Sequence, residues 1–215
     1  MTAELDLVVL VPGKDERQTV EGLLSTRCDS LSIRSLVYEI IVDAIGRDPG
    51  CFRRGPGLLQ QYVGRASHGL IMFDHEGSGQ EARTAGEVEA DVRQRLQAAG
   101  WNDRAEVIVI RPELEIWVWS DSPNVDTVLG WNGRQPDLRS WLVTQGYMTQ
   151  RDAKPARPKE AMLAALREAQ IAPSASNFRA LAEAVGLARC TDPQFGRLKT
   201  LLVEWFGSAI PVAPA

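Results

Sequence analysis

Two hydrophobic periods alternate along the first half of the chain. Leu5–Val11 (LDLVVLV) is an apolar run with a β-branched centre, as expected of a strand buried in a parallel sheet. Pro12-Gly13 stops it. Lys14–Arg27 then predicts a helix, with Val20, Leu23 and Leu24 on one stripe. Val37–Val42 predicts a second strand ending at Asp43. Ala44–Gly57, rich in Gly, Pro and Arg, reads as a loop, with a short helix over Leu58–Val63. Gly69–Phe73 is the third strand, ending in Asp74 and the polar loop His75–Gly79. A long helix is expected over Gln80–Ala99, with Gly100 at its C′ position and Trp101 folding back on Leu96. Ala105–Ile110 is the fourth strand, stopped by Arg111-Pro112.

This order, β-α-β-(α)-β-α-β, predicts an α/β fold: an open, mostly parallel four-stranded sheet with helices on both faces. The second half is less periodic. Short helices are expected near Leu114–Trp119 and Asp137–Gln145, in a stretch that holds Trp117, Trp119, Trp131 and Trp141. Thr149–Pro158 reads as a linker. Three helices follow: Lys159–Gln170; Asn177–Val185 with Ser176 as N-cap and Gly186 as stop; and Pro193–Phe206 with Asp192 as N-cap. The division expected is a core over 1–148 and a linker with a small three-helix module over 149–215, packed on the core. Gly207–Ala215 is expected to fray.

Composition narrows the function classes. The chain has 215 residues with 24% charged, so wholesale disorder is excluded. No apolar run is long enough for a membrane helix. The N-terminus lacks a basic segment, so no signal peptide is expected. Three widely spaced cysteines form neither a disulfide framework nor a zinc pattern, and a reducing cytoplasm is expected. Net charge is −4, split as −7 over residues 1–150 and +3 over 151–215. That argues against bulk electrostatic coating of nucleic acid.

The chemistry is expected at the strand ends, because open α/β sheets bind ligands beyond the carboxyl ends of their strands. There the chain carries Lys14-Asp15-Glu16, Asp43, Asp74-His75-Glu76 and Glu113-Leu114-Glu115. Asp74, Glu76 and Glu115 are the candidate metal ligands, since hard cations such as Mg²⁺ or Mn²⁺ take carboxylate oxygens on rigid elements. The competing view makes these acids turn formers and helix caps. Gly77 and Gly79 would let a phosphate approach the backbone. Glu16 and His75 are the candidate proton-transfer groups, and Lys14, Arg53 and Arg54 the candidate nucleic-acid contacts. A P-loop and a serine nucleophile elbow are ruled out by spacing. Cys51 lies beside Arg53 and Arg54, which would lower its pKa, but no cysteine nucleophile is expected.

V-P-G-K-D-E after the first strand, F-D-H-E-G-S-G at the end of the third and P-E-L-E-I-W after the fourth resemble the Toprim-like superfamily, nearest its RloB and OLD-type nucleases. A small subunit of a methylation-associated phage-defence system is a related resemblance. The likeness spans roughly residues 5–120. It implies a Mg²⁺-dependent nuclease core in bacterial antiviral defence, with DNA and other defence subunits as partners and a homodimer as one assembly. It places Asp74 and Glu76 at the acidic pair after the third strand, and Glu115 at the acid before Trp117. One departure matters. Pro12 stands where the superfamily has its first-strand glutamate, the usual proton-transfer group, leaving Asp15 or Glu16 to substitute. The alternative is a catalytically degenerate subunit that binds protein or nucleic acid. The Trp-rich stretch and the stripe Phe195–Trp205 would then be its docking faces, against the simpler reading that they are core.

Overall fold

The four apolar runs pair into one sheet. The computed structural model describes residues 3–120, 122–187 and 190–207. The strands are β1 (Leu5–Val11), β2 (Tyr38–Val42), β3 (Ala66–Asp74) and β4 (Ala105–Ile110). All pair in parallel in the order β2-β1-β3-β4. The chain runs outward from β1 to β2 and then crosses back to β3. The topological switch point, where open sheets hold ligands, therefore lies between β1 and β3.

Alternation along each strand feeds two separate cores. Val8, Leu10, Ile71, Phe73, Val107 and Val109 face one side. There they meet α3 (Arg47–Gln60) and α4 (Ala85–Leu96) through Cys51, Leu59, Val88 and Val92. Leu7, Val9, Leu70, Met72 and Ile108 face the other. That side is covered by α1 (Lys14–Thr26), which leads to the single turn α2 (Cys28–Leu31), and by helices from the end of the chain. The later helices are α5 (Pro123–Val128), α6 (Leu138–Thr144), α7 (Pro158–Glu168), α8 (Ala175–Ala184) and α9 (Pro193–Phe206). Phe178 and Leu181 of α8 and Leu198 and Leu202 of α9 lie in the same apolar cluster as Val20 and Leu23 of α1. The C-terminal helices thus form part of the layer over one sheet face.

Most of the tryptophan-rich stretch and of the α9 stripe is core. Trp117, Trp119 and Trp131 are buried, as are Phe195, Leu198, Leu201 and Leu202, while Trp141 and Trp205 pack partly buried against the same cluster. Each buried indole N–H of the three also finds a C-terminal acceptor: Trp117 on Asp192 Oδ1 (3.0 Å), Trp119 on the Pro158 carbonyl (3.0 Å) and Trp131 on the Ala165 carbonyl (3.3 Å). Large apolar rings that carry one donor suit this seam between segments.

Several boundaries differ from expectation. The segment read as a loop over Ala44–Gly57 is mostly α3. Its Pro49 sits in the first turn, where a missing N–H costs no helical bond. Its glycines permit close approach: a Cβ at Gly55 would come 2.8 Å from Ile71, and one at Gly50 2.2 Å from the Asp43 carboxylate. Tertiary contact outweighs low helix propensity there. The helix expected over Gln80–Ala99 begins only at Ala85, behind a Thr84–Glu87 capping box, and ends in a π-turn over Gln97–Trp101 in which Gly100 takes φ 94°. Ser174, not Ser176, is the N-cap residue of α8. The stretch Leu114–Trp117 is a 3-10 turn, and α5 was not anticipated. The expected fraying beyond Gly207 falls outside the described residues. No helix among the described residues is long and apolar enough to cross a membrane.

Asp43, at the end of β2, belongs to the scaffold. Its carboxylate accepts from Arg54 Nη2 at 2.6 and 2.7 Å and from the Gly46 N–H at 3.0 Å, which anchors the start of α3. Arg54→Ala leaves a buried carboxylate with one weak partner. It should cost about 2 kcal/mol, less than a fully buried pair because Arg54 is half exposed. The expected result in thermal melts is a drop of roughly 4–8 °C for a chain of this size. An unchanged melting temperature would show that the pair contributes nothing.

Candidate metal centre

The carboxyl ends of β1, β3 and β4 converge on a cluster of acids. Asp74 is the last residue of β3. The parallel pairing continues past it, since the His75 N–H donates to the Ile110 carbonyl (2.8 Å) and the Glu76 N–H to the Pro112 carbonyl (2.9 Å). This draws the segment after β4 alongside, and the 3-10 turn at Leu114–Trp117 then swings Glu113 and Glu115 inward. Asp74, Glu113 and Glu115 each place one carboxylate oxygen within 4.8 Å of the other two. Asp74 and Glu115 are 6% and 4% exposed.

Two carboxylate oxygens of the triad residues lack a hydrogen bond: Asp74 Oδ1 and Glu115 Oε2 are buried and unpartnered. An unsatisfied buried carboxylate oxygen is expensive in a fold unless something positive completes it. A hard divalent cation with oxygen ligands fits that donor set. Glu113 is held in place by the Lys159 backbone N–H (2.9 Å), in the first turn of α7. Lys159 Nζ lies 3.4 Å from Glu115 and 3.8 Å from Glu113.

Two more acids join the cluster from the β1 and β2 sides. Glu16, one turn into α1, folds back toward the strand end: its Oε2 lies 2.8 Å from where a Cβ at Gly13 would be. A side chain at residue 13 would therefore displace the Glu16 carboxylate from this position. Asp48, in the first turn of α3, accepts the Asp74 N–H at 2.9 Å. Burial, then the Asp48, Asp15 and Glu115 charges, push the Glu16 carboxyl up to about 7. Burial, with Glu16, Asp48 and Glu115 behind it, holds Asp74 well above the usual carboxylate range. Burial also raises Asp48, Glu113 and Glu115, against Lys159. The Lys159 ammonium is pulled down by burial, but Glu115, Glu113 and Asp74 outweigh this and raise it.

In front of the cluster is a crevice of about 460 Å³ at the switch point, lined by Gly13, Glu16, Asp48 and Asp74 with Lys14, Arg47 and Lys159 as its cations. Arg47 holds a left-handed backbone (φ 48°), a conformation that costs a non-glycine residue energy and that gathers at functional sites.

Of the residues expected at the site, Asp74, Glu115, Glu16 and Lys14 come together here. Glu76 is exposed and outside the triad: its backbone still pairs with Pro112, but the chain turns there, so its side chain does not share the face of Asp74. Glu113 takes its place. His75 is buried with Nε2 3.0 Å from the Arg83 carbonyl, so it braces the 75–84 loop instead of lining the crevice. The glycine loop is also occupied: the Gly77 and Gly79 N–H groups donate to Glu81 Oε1 at 2.8 and 3.2 Å, where a phosphate was expected. Arg54 serves Asp43, and neither Arg53 nor Arg54 lines the crevice. Cys51 is buried, and burial with the Asp48 and Asp43 charges raises its thiol, outweighing the neighbouring Arg54.

Asp48, Arg47 and Lys159 were missed. Asp48 and Arg47 lay in a segment read as a loop, and Lys159 was read as the start of a helix with nothing local to tie it to the strand ends. The usable signal was Asp48-Pro49, an acid directly before a first-turn proline. No protein family, no curated protein and no solved structure matches the chain.

Proposed function

We propose that the chain is a Mg²⁺- or Mn²⁺-dependent phosphodiester hydrolase with a Toprim-like core, acting on DNA in bacterial antiviral defence. The observation that carries this reading is the triad Asp74, Glu113 and Glu115 beyond the carboxyl ends of β3 and β4, which shares Asp74 with the switch-point crevice and leaves two buried carboxylate oxygens unpartnered. The Toprim-like, defence and DNA elements rest on the motif resemblance.

Asp74, Glu113 and Glu115 would hold the metal, which supplies positive charge for the phosphate and a water acidified for attack. The remaining roles belong to the chain. Glu16, with its carboxyl pushed up to about 7, exists in both protonation states at neutral pH and can pass a proton to a leaving oxygen. Its carboxylate hangs back beside Gly13, near the strand end where Pro12 replaces the resemblance's glutamate. Asp48 fixes the Asp74 backbone. Lys14, Arg47 and Lys159 face the crevice as partners for phosphate oxygens. The acidic floor would repel an anion until a divalent cation is bound, consistent with the net −7 of residues 1–150.

The test is cleavage of plasmid and of labelled single- and double-stranded oligonucleotides. Products are expected with Mg²⁺ or Mn²⁺ and none with EDTA. The second reading is a degenerate, non-cleaving subunit. It is favoured by Lys159, whose ammonium already neutralises Glu113 and Glu115. A preparation that cuts nothing with either metal would select that reading and overturn the hydrolase.

A further inference from the structure

A second, smaller hollow of about 160 Å³ opens beside the acidic crevice. Asp15, Glu115 and Lys159 line the hollow; Asp15 and Lys159 also line the crevice, while Glu115 belongs to the triad. Its remaining lining is almost wholly apolar: Met162, Leu163 and Leu166 of α7, Pro173, and Phe178 of α8. Ser174, the one hydroxyl there, is engaged with Ser176. Leu163 is 38% exposed and forms the lip, whereas Met162, Leu166 and Phe178 are buried.

We propose that this hollow seats the nucleobase next to the scissile phosphate. The proposal rests on the phosphodiesterase reading and deepens it by naming the substrate class. Three observations lead there. The hollow abuts the triad through Glu115, so a group bonded to a phosphate held there is within reach of it. Its volume is below the roughly 300–1,000 Å³ of sites for drug-sized ligands, which suits one ring system and not a stacked pair. Its apolar walls offer nothing to a second phosphate but suit the face of a base. A base inside a duplex cannot enter such a hollow without leaving the stack. The substrate is therefore single-stranded nucleic acid or a frayed end, and the C-terminal helices set that preference.

The test is calorimetry on the full chain in Mg²⁺, comparing 2′-deoxycytidine 5′-monophosphate with 2-deoxyribose 5-phosphate, which carries a hydroxyl in place of the base. The nucleotide is expected to bind about tenfold tighter or more, the range of base–aromatic contacts. Leu163→Trp, which fills the hollow from its lip, should remove that preference and leave the sugar phosphate unchanged. Leu163→Ala, a milder change at the same lip, should retain it. Equal affinities in the wild type, no nucleotide binding, or a preference that survives in folded Leu163→Trp would each overturn the proposal. A parallel Mn²⁺ titration of wild type and Asp74→Asn keeps the two levels apart. Mn²⁺ bound through Asp74 without a base preference overturns the hollow alone. Mn²⁺ bound equally by both proteins overturns the metal reading beneath it.

Discussion

Asp74→Asn is expected to weaken Mn²⁺ binding by more than about 100-fold, because even outer-shell partners of a metal cost roughly 10–100-fold when removed. The same substitution should raise the stability of the metal-free protein. Asp74 is buried, its Oδ1 is unpartnered, and Glu16, Asp48 and Glu115 all oppose its ionisation. An amide fits the same space without a charge to bury or a proton to take up. Relief of this kind is typically worth about 0.5–2 kcal/mol, and about 2–4 °C of melting temperature per kcal/mol at this chain length. The paired outcome is the informative one, since a residue retained for packing would lose stability and leave Mn²⁺ binding alone. Titration of Mn²⁺ by electron paramagnetic resonance, with thermal melts in EDTA, reads both. Undiminished Mn²⁺ affinity would place the metal elsewhere. A lowered melting temperature would make Asp74 a structural carboxyl.

The second large effect is a stability that falls as pH rises. Glu16 has an ordinary value of 4.5 and is pushed up to about 7 in the fold. Between those values the folded chain holds a proton that the unfolded chain has released. Unfolding is then favoured by each increase in pH, and the stability present below 4.5 is lost as pH passes through 7. Glu16 alone contributes roughly 3 kcal/mol over that window. Asp74, Asp48, Glu113 and Glu115 are also raised and act with the same sign. Lys159 does not enter, because its raised value bears only on pH above the ordinary lysine range. On the acid side, Asp6 and Asp91 are lowered by their arginine partners, so their stability is lost as pH falls below about 4. Urea melts in EDTA should thus place the maximum near pH 5. Saturating Mg²⁺ should recover most of the loss at pH 7–8, since a bound cation favours the ionised carboxylates. Glu16→Gln should flatten the EDTA curve between pH 5 and 7. A flat or rising curve from pH 5 to 7 would show that these acids are solvated and not clustered.

The parts of this protein legible in its sequence are those governed by local rules. The four strands fall within a few residues of the apolar runs; β1, β3 and β4 do so because a strand buried on both faces is almost continuously apolar. The boundaries of α9 follow from Asp192 and Pro193, whose capping depends on neighbours one to three residues away. The α/β class and the parallel sheet followed from element order, and the acids at strand ends pointed to the edge of the sheet where the triad gathers.

The membership of the site was decided elsewhere. Whether residue 74 or 76 faces the crevice depends on where β3 ends, and that is set by its pairing with the chain after β4. Glu113 enters the triad because a 3-10 turn and the first turn of α7 hold it there, across a separation that no local pattern encodes. Lys159 reaches Glu115 only once the C-terminal helices have docked on α1 and β4, burying the stripes that looked like partner surfaces. Asp48 arrives on a helix that its own glycines and prolines argued against, stabilised by contact with Asp43 and Ile71. Apolar pattern and capping thus determined the scaffold and the edge at which charge would gather. Long-range packing decided which carboxylates share one buried space, because electrostatic clustering depends on distance through the fold and not on separation along the chain.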